Sequence, residues 1–289
     1  MKKSCSICGS INNKNSESFP YNTKFNNKIF QYRKCNNCKS VYLENILSDE
    51  DLNLMYSESY HSTFYNENIQ NNNLVFSSFI ENLIDYKKEN IKMCDFGCGN
   101  CNKLNLFPNH FQKTGVEFSN SYVEKLKKKF LEISFYTESS FYNKNFESYF
   151  DIIVISDVLE HLNDPYSHLV KLSKLITKGG FFIIEGPVEE NYNLVHLVSR
   201  FNGFVKKFLR INNNFIPFHT FRTNHLSQKR FFNRLNNFKI KKYYTYETGW
   251  PYAKNGYLRN FISNINFKIF SNENSNKNNR FICLIQKEF

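Results

Sequence analysis

The chain has 289 residues, with 38 Lys and Arg against 26 Asp and Glu, and its formal net charge is +12. That length is enough for one full α/β core plus a small module. It contains no run of 18 apolar residues, and no apolar region follows its basic start. We therefore expect a cytoplasmic protein with neither a membrane span nor a secretory signal.

The positive charge is confined to the last third of the chain. Residues 199–289 hold 17 Lys and Arg and 3 Asp and Glu, a net charge of +14, whereas residues 1–198 hold 21 and 23, a net charge of −2. One interpretation is that this third holds a substrate bearing phosphate or another anion. The other is a coding bias, since Lys and Asn are abundant throughout and many lysines are simply solvated.

Two Cys-x-x-Cys pairs open the chain, Cys5 with Cys8 and Cys35 with Cys38. Two thiolates at this spacing bind one metal ion, and two such pairs complete a tetrahedral site with four thiolate ligands. Disulfides are the alternative, which a cytoplasmic chain disfavours. The pairs lie further apart than in the usual zinc ribbon, but the stretch Phe30–Leu43 suits a hairpin that returns to the second pair. The pattern predicts a structural, non-catalytic Zn²⁺ in a zinc-ribbon-like module over residues 1–45.

Residues 46–90 are predicted to be a connector followed by a helix. The acidic, tyrosine-rich stretch Ser48–Tyr65 includes Tyr56, Tyr60 and His61. These side chains are candidates to line a site, although exposed aromatics are the commoner outcome in a connector. Asn71–Asn73 suits a loop, and apolar residues at helical spacing then predict a helix up to about Lys88.

The stretch Ile91–Asn100 predicts a buried strand that ends at Asp95 and turns sharply through Gly97 and Gly99. Glycine permits backbone dihedrals and a close approach of a ligand that a Cβ would block. An ordinary strand-to-helix turn is the alternative, and a helical pattern does follow from Lys103.

Further strand and helix patterns follow this turn. Thr114–Glu117 is a short strand that ends in an acid about 20 residues after the glycines, where a doubly wound sheet places the carboxylate that binds a ribose diol. A helix capped by Ser119 and a third strand come next. The apolar run Ile152–Ile155 is typical of a strand buried on both faces of a parallel sheet. A further helix, stopped by Gly179 and Gly180, precedes another apolar strand.

Four segments in this order resemble the class I S-adenosylmethionine-dependent methyltransferases. They are Asp95–Gly99, Glu117, Asp157–Pro165 and Lys178–Gly180. The resemblance covers residues 73–187 and implies an α/β fold with a doubly wound, mostly parallel, seven-stranded Rossmann-like sheet. It assigns residues 91–289 to the methyltransferase domain, with residues 188–228 as a substrate-covering insertion. Phe238–Glu247 and Arg280–Lys287 would be the last, antiparallel strand pair. Cys101 stands where many members carry a third glycine, so helix packing is expected to differ there.

The resemblance also implies which residues bind S-adenosylmethionine. Asp95, Gly97 and Gly99 would form the cofactor loop, and Glu117 would bind the ribose. Glu138 or Ser139 would lie against the adenine, and Asp157 would follow the fourth strand at the site.

An alcohol acceptor would benefit from a general base. His161 is the first candidate, because the turn after the fourth strand opens onto the methyl position. His219 and His225 are its rivals, and each of the three also suits a purely structural role. Arg222 beside them would suit a phosphate or carboxylate clamp, or it would simply be solvated.

The cysteine module also resembles the front module of methyltransferases that act on sugars in antibiotic and surface-polysaccharide pathways. That similarity favours transfer to oxygen or nitrogen of a small molecule, such as a phosphate-bearing, nucleotide-linked sugar. Relatives that methylate sugar carbon carry a further C-terminal domain. The alternative is an RNA methyltransferase that holds nucleic acid with the zinc module and the basic C-terminal third.

Overall fold

The computed structural model describes residues 4–56, 69–81, 88–212, 214–247 and 275–288, with the single positions 261 and 265. Two 3-10 turns, Leu104–Leu106 and Leu159–His161, accompany its helices and strands. In chain order these are β1 (Asn13–Asn15), β2 (Asn22–Phe25), β3 (Lys28–Cys35), β4 (Val41–Leu43), α1 (Asp49–Met55), α2 (Ile69–Glu81), β5 (Lys92–Phe96), β6 (Gln112–Glu117), α3 (Asn120–Lys129), β7 (Ser134–Thr137), α4 (Glu138–Tyr142), β8 (Phe150–Ser156), α5 (Pro165–Ser173), β9 (Ile176–Pro187), α6 (Leu194–Phe208), β10 (Phe221–Arg222), α7 (His225–Phe232), β11 (Phe238–Tyr246) and β12 (Arg280–Lys287).

The large sheet has seven strands in the order β11-β12-β9-β8-β5-β6-β7. Strands β5 to β9 run parallel to one another. Strand β12 is antiparallel to β9, and β11 is antiparallel to β12, so the sheet is mixed. The predicted antiparallel pair at the end of the chain is therefore confirmed. The strand order reverses between β5 and β8, and open α/β sheets bind ligands at the carboxyl ends of strands beside such a reversal.

Apolar side chains alternate between the two faces of this sheet. Along β8, Ile152 and Val154 pack into one core and Ile153 and Ile155 into the other. Helices α2 and α3 contribute to the first core, and α5 and α7 contribute to the second together with the cysteine-bearing segment. A strand covered on both faces reads as a continuous apolar run, which is why the sequence marked β8 so clearly.

The small sheet joins the beginning of the chain to a strand far along it. Its order is β1-β3-β4-β10, with β2 paired to β3. All four pairings are antiparallel, and the predicted hairpin over Phe30–Leu43 is formed by β3 and β4. Phe221 of β10 lies opposite Tyr42, and Arg222 lies opposite Val41. The predicted covering segment, residues 188–228, thus supplies a strand to the sheet of the first 45 residues.

Side chains reinforce this junction. Arg234 Nη1 donates a 2.7 Å hydrogen bond to the Ile7 carbonyl, and Phe215 N donates a 2.9 Å bond to Thr23 Oγ1. Helix α6 packs so closely on the segment before β2 that a Cβ at Gly203 would come within 2.2 Å of Phe19. Only a glycine allows that approach.

Three local predictions are wrong. The helix expected from Lys103 is reduced to the turn Leu104–Leu106, because Pro108 follows at once and restrains the residue before it from helical dihedrals. The backbone of Asn71–Asn73 lies within α2 rather than in a loop. Gly179 and Gly180 do not stop a helix but lie inside β9, where a Cβ on Gly180 would come within 2.8 Å of the Asp151 carbonyl oxygen.

None of the helices among the described residues has the length and apolarity that crossing a bilayer requires.

Candidate functional site

The turn after β5 is built around left-handed backbone. Gly97 has φ +82° and Gly99 has φ +50°. A Cβ at Gly97 would also come within 2.3 Å of Val158 Cγ2. Both the positive φ and this contact therefore exclude a larger residue at position 97. Cys101, expected to depart from the glycine pattern, keeps φ +68° and is fully buried. A non-glycine residue in this region carries a strain of about 1–3 kcal/mol.

Glu117 ends β6 and points at this turn. Its Oε2 accepts a 3.0 Å hydrogen bond from Gly99 N, and its Oε1 accepts a 2.7 Å bond from Phe118 N. The carboxylate therefore lies beside the glycine turn, in the place that its predicted role in binding a ribose demands.

Asp95 is buried beneath the same turn with an unsatisfied oxygen. Its Oδ1 has no hydrogen-bond partner among the described residues. Burial raises its pKa to about 7, against the opposing charge of Lys103 and with a further contribution from Glu117. A buried acceptor with no donor is costly, so this oxygen marks a place where a ligand with an N–H or O–H group would be stabilised.

A buried charge network lies beside Asp95 at the carboxyl ends of the strands. Its centre is Glu185 of β9, whose Oε2 lies 2.7 Å from Lys103 Nζ. Glu185 also accepts hydrogen bonds from Ser156, at 2.9 Å, and from Tyr246. Arg280 of β12 lies 3.4 Å from its other oxygen. The network links the glycine turn to the antiparallel strand pair.

Asp157, one of the predicted site residues, belongs to the same network. It follows β8 with φ +54°, and both its oxygens bind Arg280 Nη2, at 2.8 and 2.7 Å. Partial desolvation tends to raise its pKa, although 43% of the side chain is exposed, but the Arg280 guanidinium outweighs that effect and the pKa is lowered. Sequence reasoning missed Lys103, Glu185 and Arg280. The available signal was one acid inside the apolar run of β9 and one base at the start of β12.

A second cluster lies in the turn after Asp157, where His161 meets His219. The two rings are 5.0 Å apart between centroids. His161 Nδ1 lies 2.9 Å from the Phe218 carbonyl oxygen. Because a carbonyl only accepts, Nδ1 carries the proton and Nε2 keeps its lone pair. Burial, reinforced by the charge on His219, lowers the pKa of His161 to about 4, so the ring is neutral near pH 7.

The pKa of His219 is shifted in the opposite direction. Its Nδ1 lies 2.8 Å from Glu189 Oε2, and Arg222 Nη1 lies 2.9 Å from Glu189 Oε1. Burial would lower the pKa of His219, but the Glu189 carboxylate outweighs it and the pKa is raised. Burial likewise opposes ionisation of Glu189, yet Arg222 and His219 lower its pKa to about 2. One neutral and one readily protonated imidazole therefore stand side by side.

Glu160 is the third residue of this cluster. One ligand atom each from Glu160, His161 and His219 lie within 4.8 Å of one another. Burial and the neighbouring Asp157 charge raise the pKa of Glu160 to about 8. Its carboxyl group is therefore mostly protonated near pH 7, which spares the cluster an additional negative charge.

The segment that carries His219 is held by the cysteine-bearing module. The Tyr32 hydroxyl donates a 3.1 Å hydrogen bond to the His219 carbonyl. Leu43 N donates to the Thr220 carbonyl at 2.6 Å, and Thr220 N donates to the Glu160 carbonyl at 2.7 Å. A continuous set of backbone bonds thus runs from β4 through β10 to the turn that holds His161.

The remaining predicted residues lie apart from that cluster. His225 begins α7, and its Nδ1 lies 3.2 Å from Asn191 Oδ1. Glu138 lies 3.1 Å from His168 Nε2, and Ser139 is exposed at the start of α4. Tyr56 does approach the cluster, with its ring edge-on to His161 at 6.0 Å. Tyr60 and His61 lie outside the described residues.

The four predicted metal ligands come together. Cys5 and Cys38 have their Sγ atoms 3.7 Å apart, and those of Cys8 and Cys35 are 3.6 Å apart. A tetrahedral zinc with Zn–S bonds of about 2.3 Å has S–S edges of about 3.8 Å. None of the four forms a disulfide, and all four Sγ atoms lie within 4.8 Å of one another. The cluster therefore fits a zinc ion.

The two cysteine turns share one backbone geometry. In the first, Gly9 N donates to the Cys5 carbonyl at 2.8 Å, and in the second, Lys39 N donates to the Cys35 carbonyl at 3.0 Å. Gly9 and Lys39 have φ +75° and +65°. Two equivalent turns facing each other are what a shared tetrahedral ligand set requires.

Comparison with known proteins agrees with this geometry. Residues 94–184 match a family model described as a methyltransferase domain. The chain therefore contains a methyltransferase domain. Its matched part runs from β5 to β9 and so includes the glycine turn, Glu117 and the turn with His161. No curated protein matches the enzyme.

Solved structures share the fold of this methyltransferase at low sequence identity. A chain of the complex between the Haloferax volcanii Trm112 methyltransferase activator and a methyltransferase has a TM-score of 0.53 and 10% identity, covering 80% of this chain and 97% of that one. A SAM-dependent methyltransferase from Archaeoglobus fulgidus has a TM-score of 0.50 and 14% identity, covering 80% and 100%. The CurJ carbon methyltransferase has a TM-score of 0.50 and 13% identity, covering 83% and 61%.

The opposed protonation of His219 and Glu189 leads to a prediction about pH. Replacing Glu189 with Gln removes the charge that raises the pKa of His219, so that pKa should fall below its ordinary value of 6.5. Proton NMR titration of the imidazole signals measures this directly. Glu44→Gln, which breaks a surface ion pair with Arg33, should leave the His219 titration unchanged.

The same pair has a defined window of stabilisation. The His219 contribution is complete below pH 6.5 and is lost as pH rises through its raised folded-state pKa. The Glu189 contribution is complete above pH 4.5 and is lost as pH falls through about 2. An unchanged His219 titration in Glu189→Gln would show that the pair does not form in solution.

Proposed function

We propose that this methyltransferase transfers a methyl group to oxygen, or else nitrogen, of a small molecule such as a nucleotide-linked sugar or another intermediate of surface-glycan or natural-product assembly. The observation that carries the oxygen preference is the neutral His161, whose Nε2 lone pair remains available beside the charged pair of His219 and Glu189. An alcohol must lose its proton during methylation, whereas a neutral amine can attack before losing one. A buried neutral imidazole at the carboxyl edge of β8 suits the first case.

The residues around the glycine turn fit S-adenosylmethionine. The orphaned Asp95 Oδ1 would accept from a polar N–H of the cofactor, and Glu117 would bind its ribose hydroxyls. Gly97 and Gly99 leave room for its close approach, and Glu138 and Ser139 remain candidates to lie against its adenine. When bound, this cofactor supplies a methyl group that is already electrophilic.

The task left to the chain is to orient the acceptor, exclude water and take a proton. In our proposal His161 Nε2 accepts the acceptor's hydroxyl proton, while the Phe218 carbonyl fixes the ring through Nδ1. His219, held by Glu189, contributes positive charge next to the developing negative oxygen, and it is the second candidate base. Its carbonyl bond to Tyr32 makes the cysteine module part of the support for this geometry. His225 is the third candidate, since Asn191 presents it at the start of α7.

The zinc proposal rests on the four thiols alone. Cys5, Cys8, Cys35 and Cys38 would hold Zn²⁺ as a structural ion that fixes the small sheet. We retain residues 1–45 as the zinc module, residues 46–90 as connector and helix, and residues 91–289 as the methyltransferase domain with 188–228 as its covering insertion.

A second candidate function is methylation of RNA. Between Asn191 and Tyr246 the chain has no Asp or Glu, and a phosphate backbone would complement that surface. Tight binding of bulk RNA in a gel shift, with a steep decrease as salt rises, would favour this function over the small-molecule one.

Loss of the Glu117 carboxylate should weaken cofactor binding. Glu117→Ala removes two candidate hydrogen bonds to the ribose, each of a charged group, so affinity should fall by about 10- to 100-fold while the fold persists. Calorimetry with S-adenosylhomocysteine measures the change. Glu124→Ala, an exposed acid on α3, is the matched control and should bind normally. Equal affinity in Glu117→Ala would remove this residue from the ribose role.

The acceptor class can be tested with the purified enzyme, S-adenosylmethionine and pools of nucleotide-linked sugars. Mass spectrometry should detect products that have gained one methyl group in place of a hydrogen. His161→Ala should lower kcat by about 10²–10⁴-fold with the cofactor Kd unchanged, whereas the exposed His110→Ala should be normal. Absence of product from every sugar pool would reject the substrate class, and an unaltered rate in His161→Ala would reject the base.

Zinc content provides a separate test. Metal analysis should find one zinc per chain, and Cys35→Ser should lose it and unfold the first 45 residues, as seen by hydrogen exchange. Cofactor binding should persist, because Asp95, Gly97 and Glu117 lie outside the module, but turnover should fall with the support of His219. Cys283→Ser, a buried cysteine of β12, should keep its zinc. A zinc-free wild-type protein with an intact small sheet would refute the site.

A further inference from the structure

Helix α6 carries a stripe of large apolar side chains that point to solvent. Leu197, Phe201, Phe204 and Phe208 are 57%, 67%, 59% and 79% exposed. Their spacing of four, three and four residues places them along one side of the helix. Leu209 and Ile211, just beyond its end, are exposed as well. We call the side chains at these six positions the apolar stripe.

The rest of α6 is firmly attached, so the stripe belongs to an ordered part of the protein. His196 is buried, and its Nδ1 lies 3.0 Å from the Glu189 carbonyl. Gly203 packs on Phe19, and Arg200 pairs with Glu190. These contacts use a different side of the helix. An exposed apolar surface on a rigid element is characteristic of an interaction site.

The chain segment that contains the stripe is basic to an unusual degree. Residues 191–246 contain eleven Lys and Arg and no acid, although the whole chain has 26 acids in 289 residues. At that average, a stretch of this length would hold about five acids. Lys207 lies about a quarter of a turn around the helix from the stripe, Arg210 lies just beyond the helix end, and both are exposed, as is Lys206 on the opposite side. The partner that complements this surface is therefore apolar at its centre and negatively charged at its edge.

We propose that α6 docks this methyltransferase onto the surface of a bilayer that contains anionic lipids. A helix with Phe and Leu along one side and Lys and Arg on its flanks lies in the plane of the membrane interface without spanning it. Its apolar side chains enter the acyl boundary, and the bases meet anionic headgroups. The stripe stands on a convex helix, which a planar bilayer can cover along its whole length.

Two other occupants match the surface less well. In a twofold dimer through this helix, the same patch is used by both copies, and so Lys207 and Arg210 would be brought towards their own equivalents, with no acid on α6 to neutralise them. Single-stranded nucleic acid is bound largely by stacking of its bases on aromatic rings, and Leu197, Leu209 and Ile211, half of the stripe, are aliphatic. The lipid proposal goes beyond the proposed function and needs no assumption about the methyl acceptor.

Flotation with vesicles tests this proposal on the full-length protein. Wild type should float with vesicles containing about 30% phosphatidylglycerol and not with pure phosphatidylcholine, and raising salt from about 50 to about 500 mM should weaken binding. Phe201→Ser with Phe204→Ser, and separately Lys207→Gln with Arg210→Gln, should each weaken binding by about tenfold or more. Leu131→Ser changes an apolar side chain that is 87% exposed elsewhere, and it should bind as wild type does.

The other outcomes would overturn the proposal. Failure of the wild type to float with anionic vesicles would do so, and so would full binding by the double Phe variant. A gel shift with bulk RNA that the same variants abolish, without flotation, would assign the surface to nucleic acid. A dimer in sedimentation that the Phe variant dissociates would assign it to a second copy. Circular dichroism of each variant confirms that lost binding is not lost folding.

Discussion

The two-residue strand β10 connects the cysteine-bearing module to the methyltransferase core. Strand β10 adds to the small sheet through β4, and the residue before it, Thr220, binds the Glu160 carbonyl in the turn that carries His161. His219 is thus fixed on one side by the module and on the other by the methyltransferase core. Because backbone bonds in a short edge strand survive only when the neighbouring strands are themselves ordered, the position of His219 depends on the order of the cysteine turns. The module was predicted to be purely structural, and its structural role extends into the candidate site.

The candidate site is also organised by how its charges are satisfied. Glu185 is fully buried, but it has Lys103, Arg280, Tyr246 and Ser156 around it, so its charge is compensated. Asp95 is equally buried and has an oxygen with no donor among the described residues. A buried carboxylate of the first kind stabilises the arrangement of strand ends. A buried carboxylate with an unsatisfied oxygen, such as Asp95, costs free energy until a ligand binds, which is typical of binding sites rather than of cores. The contrast between these two acids supports our proposed cofactor position more sharply than the glycine pattern does.

The features that were predicted correctly from the sequence depend on short-range patterns. Strands β6, β8 and the last antiparallel pair, the helix capped by Ser119, and the grouping of the four cysteines all follow from local periodicity or from fixed spacing. Two of the three wrong predictions concern the local signals given by glycine and proline. Gly179 and Gly180 mark a close contact with β8 rather than a helix end, and a contact between strands cannot be seen in one strand's own residues. Lys103, Glu185 and Arg280 were missed for the same reason, since they meet only when β5, β9 and β12 align.

The pairing of His161 with His219 shows how far such reasoning reaches. Each histidine was a separate candidate, 58 positions apart in the chain, and neither residue's neighbours in sequence indicated the other. Their different protonation arises from tertiary contacts: a carbonyl and burial keep His161 neutral, while Glu189 favours the charged form of His219. Two imidazoles with separated pKa values can divide the work of taking a proton and stabilising charge. The fold brings that division about because residues 188–228 return across the site to pair with the module. Three acids, Glu160, Glu185 and Glu189, contact other residues of the candidate site. The chain that follows them, residues 191–246, contains bases and no acid.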